Sequence, residues 1–473
     1  MNCMSRGFLS AAMLFGSSYS YAFEHDIFAT TKSVSSQRVQ DLNGVGAPCL
    51  FAPLPEQLSL EETIERILCH DPQTRLAWAE AKAQAAKVGI GKSAYLPRLD
   101  GSISRHQGNT KTRYDDYPDL ASDGNTLSST NRLGLNWVLF DFGRRGAALR
   151  NAQELLQAAN AHQNATLQNT FVLAAQIYYE ALAAQQNLNI STSVAELAAE
   201  NLKAADAKYK SGATALSDRL QAQTAFSQAR LRQLRDAGNL RKTMGLIALY
   251  MGLAPETTLR LNGDLTQLPD VHFVKSVDEL LLLARREHPA LLAAQSRVHA
   301  AQALVDERRA EGRPTLALTA NLSNARIDQS GGLYGDTREQ GRSIGIELKI
   351  PLFEGFERSY QVRNARARVE AEQAKLANTE EQVSLEVWGS YQSLSVETKS
   401  LEQIGELVRQ SRQSLEVVQG RYRAGVGSML ELLNALTAYA AAEDQHIQSL
   451  NAWQIARLKL AASLGRLGFW AVK

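Results

Sequence analysis

The side chains best able to do covalent chemistry are few and far apart. Eight histidines and three cysteines are spread over 473 residues. No nucleophile–base arrangement and no glycine-rich phosphate loop occurs. His70, His288 and His299 fall inside helical patterns, where surface or packing roles suffice. Cys49 and Cys69 have no histidine at ligand spacing, so they do not make a zinc site. They either close a disulfide that pins the N-terminal arm or stay as two unpaired, buried thiols. The sequence therefore predicts no enzyme, no bound metal and no cofactor, and function must come from shape and charge.

Charge is nearly balanced at +2, so the overall balance suggests neither a nucleic-acid nor an anionic-lipid partner. The N-terminus reads as an export signal. Arg6 is followed by a short apolar run, Gly7 to Gly16, and by a small-x-small site ending at Ala22, with cleavage before Phe23. Export brings Cys49 and Cys69 into an oxidising compartment. No later run reaches the roughly 18 apolar residues of a membrane-spanning helix. If the chain sits in a membrane, it does so by β-strands.

The chain is written twice. Glu61 to Pro72 resembles Asp278 to Pro289, and Pro97 matches Pro314 at the same offset of 217. Leu139-Phe140-Asp141 matches Leu352-Phe353-Glu354, and Tyr209-x-x-Gly212 matches Tyr422-x-x-Gly425, at an offset of 213. The offset changes once, inside a polar loop. We read a signal peptide at 1–22, an N-terminal arm at 23–57, a first repeat at 58–260, a linker at 261–276, a second repeat at 277–468 and a tail at 469–473. Each repeat holds a helical segment (about Leu58 to Lys92, and Val277 to Glu311), two strands around a polar loop, and a very long helix. That helix runs from about Gly143 to Lys208 and from Glu357 to Arg421. A glycine turn and a return helix to about Met251 or Leu464 complete each half.

The strands alternate. Ile344, Ile346, Leu348 and Ile350 face one way, and Ser343, Gly345, Glu347 and Lys349 the other. Leu133, Leu135, Trp137 and Leu139 alternate with Gly134, Asn136 and Val138, and Leu316, Leu318 and Leu322 with Thr315, Ala317, Thr319 and Asn321. Leu99 and Ile103 do so more weakly. One apolar face at period two suits a lipid-facing barrel strand. Loops are expected at about Gly108 to Thr130 and Ile327 to Gly341. Four strands cannot close a barrel, which needs about eight, and an open edge in hydrocarbon leaves backbone groups unpaired. If these strands cross a membrane, several chains must combine, two copies giving eight strands and three giving twelve. Each long helix would extend roughly 100 Å. Leu401, Ile404, Val408, Ser411, Leu415, Val418 and Tyr422 form a heptad seam along one of them, answered by Leu433, Leu436, Ala440, Ile447 and Leu450.

The turns Leu139-Phe140-Asp141-Phe142-Gly143-Arg144-Arg145 and Pro351-Leu352-Phe353-Glu354-Gly355, with Arg421-Tyr422-Arg423-Ala424-Gly425-Val426-Gly427-Ser428, resemble the TolC family of outer-membrane factors. The likeness covers about Leu58 to Leu464. It implies an α+β membrane protein of internally duplicated helical hairpins, four strands per protomer, and a homotrimer with a twelve-stranded barrel. The barrel would sit in outer-membrane lipid of a Gram-negative bacterium, above a helical tunnel crossing the periplasm. A periplasmic adaptor (membrane fusion protein) and an inner-membrane ABC transporter, or an RND pump, would open the closed end. By this resemblance Phe140, Gly143, Phe353 and Gly355 are strand-to-helix turns, and Gly212 and Gly425 are adaptor-docking tips. Asp218 and Glu431 face the constricted entrance, with Asn434 where a second acidic residue is common. Arg421, Tyr422 and Arg423 hold the closed state. Alone, the glycines need only cap helices and Asp218 need only stabilise a helix start. The segment from Cys49 through Cys69 to Trp78, with Ala94-Tyr95-Leu96-Pro97, resembles outer-membrane components of type I protein secretion. That implies export of an unfolded, toxin-like polypeptide, with small-molecule efflux as the alternative.

Overall fold

The computed structural model describes residues 26–34, 49, 53–263, 277–330, 336–465 and 467–468. The expected cleavage site at Ala22 and Phe23 lies outside them. In chain order the elements are α1 (Leu60–His70), α2 (Pro72–Ser93), β1 (Arg98–Thr112), β2 (Ser122–Phe140), α3 (Arg144–Lys210) and α4 (Leu216–Tyr250). They are followed by α5 (Val277–Glu287), α6 (Pro289–Ala310), β3 (Thr315–Ser330), β4 (Thr337–Lys349), α7 (Glu357–Arg423) and α8 (Met429–Ser463). Helices of the two halves match in length pair by pair: 11, 22, 67 and 35 residues. No helix among the described residues is long and apolar enough to cross a membrane.

Two expectations need correction. The first helical segment of each half is two helices, broken at Asp71 and His288. Proline at the next position has no N–H to donate and disfavours helical geometry in the residue before it. The turn is stabilised instead by side chains: Asp71 Oδ1 accepts from the Gln73 amide at 3.2 Å, and His288 Nδ1 from the Ala290 amide at 3.2 Å. The second correction concerns the strands. Most of the stretches read as polar loops are paired backbone, Gly108 opposite Thr126 and Ile327 opposite Thr337. Both faces are polar there, so the alternation that marks a strand vanishes while the ladder continues.

Contacts divide the chain into two compact units, Met1–Val34, Lys82–Ala158 and Gln295–Ala374 in one, and Ser35–Ala81, Ala159–Ala294 and Lys375–Lys473 in the other. Each draws on both halves of the sequence.

The first unit holds an antiparallel sheet in the order β1-β2-β3-β4. Paired residues share a face, so the register reads the sheet in rows. One row is Leu99, Leu135, Ala320 and Ile344, and the row toward the helices is Trp137, Leu318 and Ile346. The other face is polar, as in Asp100, Gly134, Asn321 and Ser343. Among the described residues no core covers the apolar face: Ile103, Ile344 and Ile346 are 82, 77 and 70% exposed. Below the sheet, Ala85, Val88, Ala152 and Leu156 form a small helical cluster.

The second unit is helical. Phe171, Tyr178, Leu182, Ile247, Leu450 and Leu458 belong to its largest core, with Ile64 and Ile67 of α1. The buried Tyr178 hydroxyl lies 3.0 Å from the Leu58 carbonyl and also meets that of Asn262, tying together a short bridge between Leu58 and Leu261. Cys49 and Cys69 are disulfide-bonded, with Cα atoms 5.9 Å apart.

Candidate functional site

The helix turns repeat one device. After Lys210 the chain reverses at Gly212, whose φ of +76° suits a residue without Cβ. The Gly212 amide donates to the Tyr209 carbonyl at 3.0 Å and the Ala213 amide to Lys208 at 2.9 Å. Gly425, at φ +82°, does the same through Tyr422 and Arg421. This pair of bonds satisfies the last carbonyls of each long helix. An added Cβ at either glycine would meet nothing within 4 Å. Both tips are therefore open surface.

The two return helices start differently. Ser428 caps α8, its hydroxyl accepting from the Glu431 amide at 3.2 Å. The Ser-x-x-Glu spacing is a helix-start pattern legible in the sequence. Ala215 offers no side-chain cap to α4. There, Asp218 takes hydroxyls from Thr214 and Ser217.

Charges cluster beside these turns. Glu431 pairs with Arg421 at 3.6 Å, both half exposed. Arg423 reaches Glu200 of α3 at 3.6 Å. Asn434, one turn after Glu431, is exposed. Tyr422 is buried with Leu415, Met429, Leu432 and Ala205 in the core of this end. Lys208 lies over the Tyr422 ring at 4.1 Å and donates to its carbonyl. The Tyr422 hydroxyl has no hydrogen-bond partner among the described residues. Burial raises its pKa, and the negative charge of Asp218 adds to that. Asp206 binds Lys210 at 2.6 Å and Arg219 at 3.1 Å, and the Lys210 hydrogen bond lowers its pKa. Lys208 was missed by sequence reasoning, since nothing in its spacing announces a ring contact.

The strand-to-helix corners form a second site. Phe142 and Gly143, and Gly355 and Phe356, all have positive φ. Asp141 is buried and caps α3, accepting from the Gly143 and Arg145 amides at 3.3 and 3.0 Å. Arg145 returns to Asp141 at 2.9 Å, donates to the Val138 carbonyl at 2.7 Å and lies 4.7 Å from the Tyr95 ring. The indole of Trp137 donates to the Tyr95 carbonyl at 2.9 Å. Phe140 stacks edge-on with Phe142, and Phe353 with Phe356, all four exposed. Among the described residues no group of His, Cys, Asp and Glu is placed to hold a metal.

An alternating sheet with an exposed apolar face, and paired long helices ending in open glycine turns, can be compared with known proteins. The family model "Outer membrane efflux protein" matches twice, over residues 63–252 and 280–466. Protein CyaE of Bordetella pertussis is 32% identical over 432 residues, covering 90% of this chain and 89% of that one. The alkaline protease secretion protein AprF of Pseudomonas aeruginosa is 25% identical, covering 86% and 85%. The solved outer membrane protein VceC of Vibrio cholerae shares the fold, with a TM-score of 0.69 at 22% identity over 87% of this chain and 96% of that one. The chain belongs to the outer membrane efflux protein family, the TolC-type channels of the bacterial outer membrane that extend into the periplasm.

Proposed function

We propose that three copies of the chain form a closed channel, twelve strands in the outer membrane and a helical tunnel below. The observation that carries this is the sheet. Its apolar face is uncovered, and its outer strands β1 and β4 each pair on one side only. Open edges in hydrocarbon cost several kcal/mol per unpaired backbone group, so only a closed barrel is viable there. Three copies supply twelve strands. The exposed aromatics Phe140, Phe142, Phe353 and Phe356 suit the membrane–water boundary.

The glycine turns at Gly212 and Gly425 are then the periplasmic tips, open for an adaptor. Asp218, Glu431 and Arg421 stand at the entrance beside Tyr422 and Arg423, whose contacts with α3 hold it closed. The channel works with a periplasmic adaptor and an inner-membrane ABC transporter, and its cargo is an unfolded polypeptide. The resemblance of Cys49 to Trp78 to type I secretion components supports that cargo, as does the secretion role in the name of AprF. Small-molecule efflux is the second reading, favoured by the relative named outer membrane efflux protein BepC of Brucella suis, 23% identical.

The purified chain in detergent is expected to run as a trimer by light scattering and to give stable conductance steps in planar bilayers. A monomer without conductance would sink the proposal.

A further inference from the structure

The outward sheet face is not apolar over its full height. Three rows above Ile344, the register aligns Arg105, Ser129, Arg326 and Arg338 across all four strands. Arg342 lies on the same face, two residues from the row-sharing Gln340. All four arginines are exposed. Arg326 is already occupied, by Asp328 at 2.7 Å and Asp336 at 3.9 Å. Arg105, Arg338 and Arg342 make no ion pair among the described residues.

The height of the row matters. From Leu348 to Arg338 is ten residues on β4, about 34 Å along a strand and about 26 Å along the axis of a barrel tilted by ~40°. A lipid-facing apolar band in such barrels is about 25 Å tall. Arg105, Arg326 and Arg338 therefore stand where hydrocarbon ends and headgroups begin, at the rim opposite the helices. Arg342 lies two rows below Arg338, about 10 Å lower along the axis, and its long stem carries the guanidinium toward that level.

On the barrel reading above, we propose that this row binds the phosphate groups of outer-leaflet lipid. Position argues for a lipid: the arginine row shares the face of the apolar rows, one row of Ile103, Asn131, Asn324 and Gln340 beyond them, so an occupant that reaches both must offer acyl chains and an anion together. Phosphate fits because the planar guanidinium forks onto two of its oxygens. The opposite rim carries aromatic rings instead, so the two membrane faces of the sheet are chemically unlike.

The test compares the full chain with the triple variant R105Q/R338Q/R342Q and with R132Q, whose residue lies on the opposite, polar face. Each is equilibrated in mixed micelles with bis-phosphorylated lipid A or its dephosphorylated form, and retained lipid is counted by native mass spectrometry. Wild type and R132Q are expected to keep the phosphorylated lipid. The triple variant should bind it on the order of a hundredfold more weakly at low salt, since each basic group near an anionic surface counts separately. Equal retention by the triple variant, or equal retention of the dephosphorylated lipid by wild type, would overturn the inference. So would complete displacement by inorganic phosphate, which would mean a free-anion site. Oligomeric state is read in the same spectra: a wild-type chain that is no trimer defeats the barrel reading, whereas an intact trimer with unchanged lipid defeats only this one.

Discussion

The strand-to-helix corners offer a controlled comparison within one molecule. Arg145 and Asp141 have their counterparts 213 residues on, at Arg358 and Glu354. The first pair is buried, with side chains 10 and 7% exposed at 2.9 Å; the second is 32 and 40% exposed. Breaking a buried pair costs about 3–5 kcal/mol, because the remaining charge is stranded. In Arg145→Ala the carboxylate would keep the Gly143 and Arg145 amides, so we place the cost at the low end, about 3 kcal/mol. Exposed pairs give about 0–1 kcal/mol, which bounds Arg358→Ala. The readout is amide hydrogen exchange of peptides spanning each corner, in the regime where exchange follows the opening equilibrium. At 1.4 kcal/mol per decade, Arg145→Ala should speed exchange at its corner on the order of a hundredfold, and Arg358→Ala at its own by about fivefold at most. Arg145→Lys should fall between, keeping the charge but losing the fork to Val138 and the stacking on Tyr95. Equal acceleration at the two corners, or less than about tenfold for Arg145→Ala, would refute the assignment of energy to burial.

Burial holds the His288 pKa below its ordinary value, and its Nδ1 accepts an amide proton. The unfolded chain therefore binds more protons just below the ordinary value, so stability rises with pH through that window and is lost as pH falls below about 6.5. His288→Asn can keep the cap without titrating, and its thermal midpoint should lose this part of the pH dependence; an unchanged dependence would remove His288 as its source. If Asp218, Glu431 and Arg421 line the proposed entrance, Asp218→Asn and Glu431→Gln should each lower the cation-over-anion permeability ratio, and Arg421→Ala should raise it. An ion about 8 Å from one charge in water feels about 0.5 kcal/mol, of which screening removes over half; three symmetry copies leave about 0.6 kcal/mol, opposite in sign for cation and anion, so the ratio changes roughly eightfold. Reversal potentials under a salt gradient measure it, and three unchanged ratios would move these residues away from the conduction path.

What could be read from the sequence depended on whether a force left a periodic trace. Hydrophobic burial does: Ile344 to Ile350 announced a strand, and Leu401 to Tyr422 a seam that indeed carries buried Ser411, Leu415 and Tyr422. Backbone pairing alone does not, so the polar ends of all four strands carry no strand signature in the sequence. Register is set by the ladder, and only the ladder aligns Arg105 with Arg338, which are far apart in the chain. The corner motif was visible twice, at matching spacing. Which copy is buried was not, because Asp141 and Glu354 differ by one methylene and their surroundings come from distant segments.

That difference belongs to a wider pattern in the halves. In the helical unit, α3 is buried at Phe171, Tyr178 and Leu182, while its counterpart α7 exposes Leu385, Val396 and Leu407. The return helices exchange these roles. Leu432, Leu436 and Leu450 of α8 are buried, whereas α4 exposes Leu220, Leu231, Leu234 and Leu249. The exposed residues of α7 recur every 11 positions, as do Leu220 and Leu231, and 11 residues make three helical turns, so each set holds one face. Two identical halves would have buried equivalent faces and left nothing to distinguish inner from outer helices. Divergence gives each half one helix with these positions covered and one with an apolar stripe unmet among the described residues. Stripes of that length exposed to water are costly, and a neighbouring copy presenting the complementary helix would cover both. The same logic that denies the sheet its open edges thus operates in the helices, through burial instead of hydrogen bonding, and both support the proposed ring of copies.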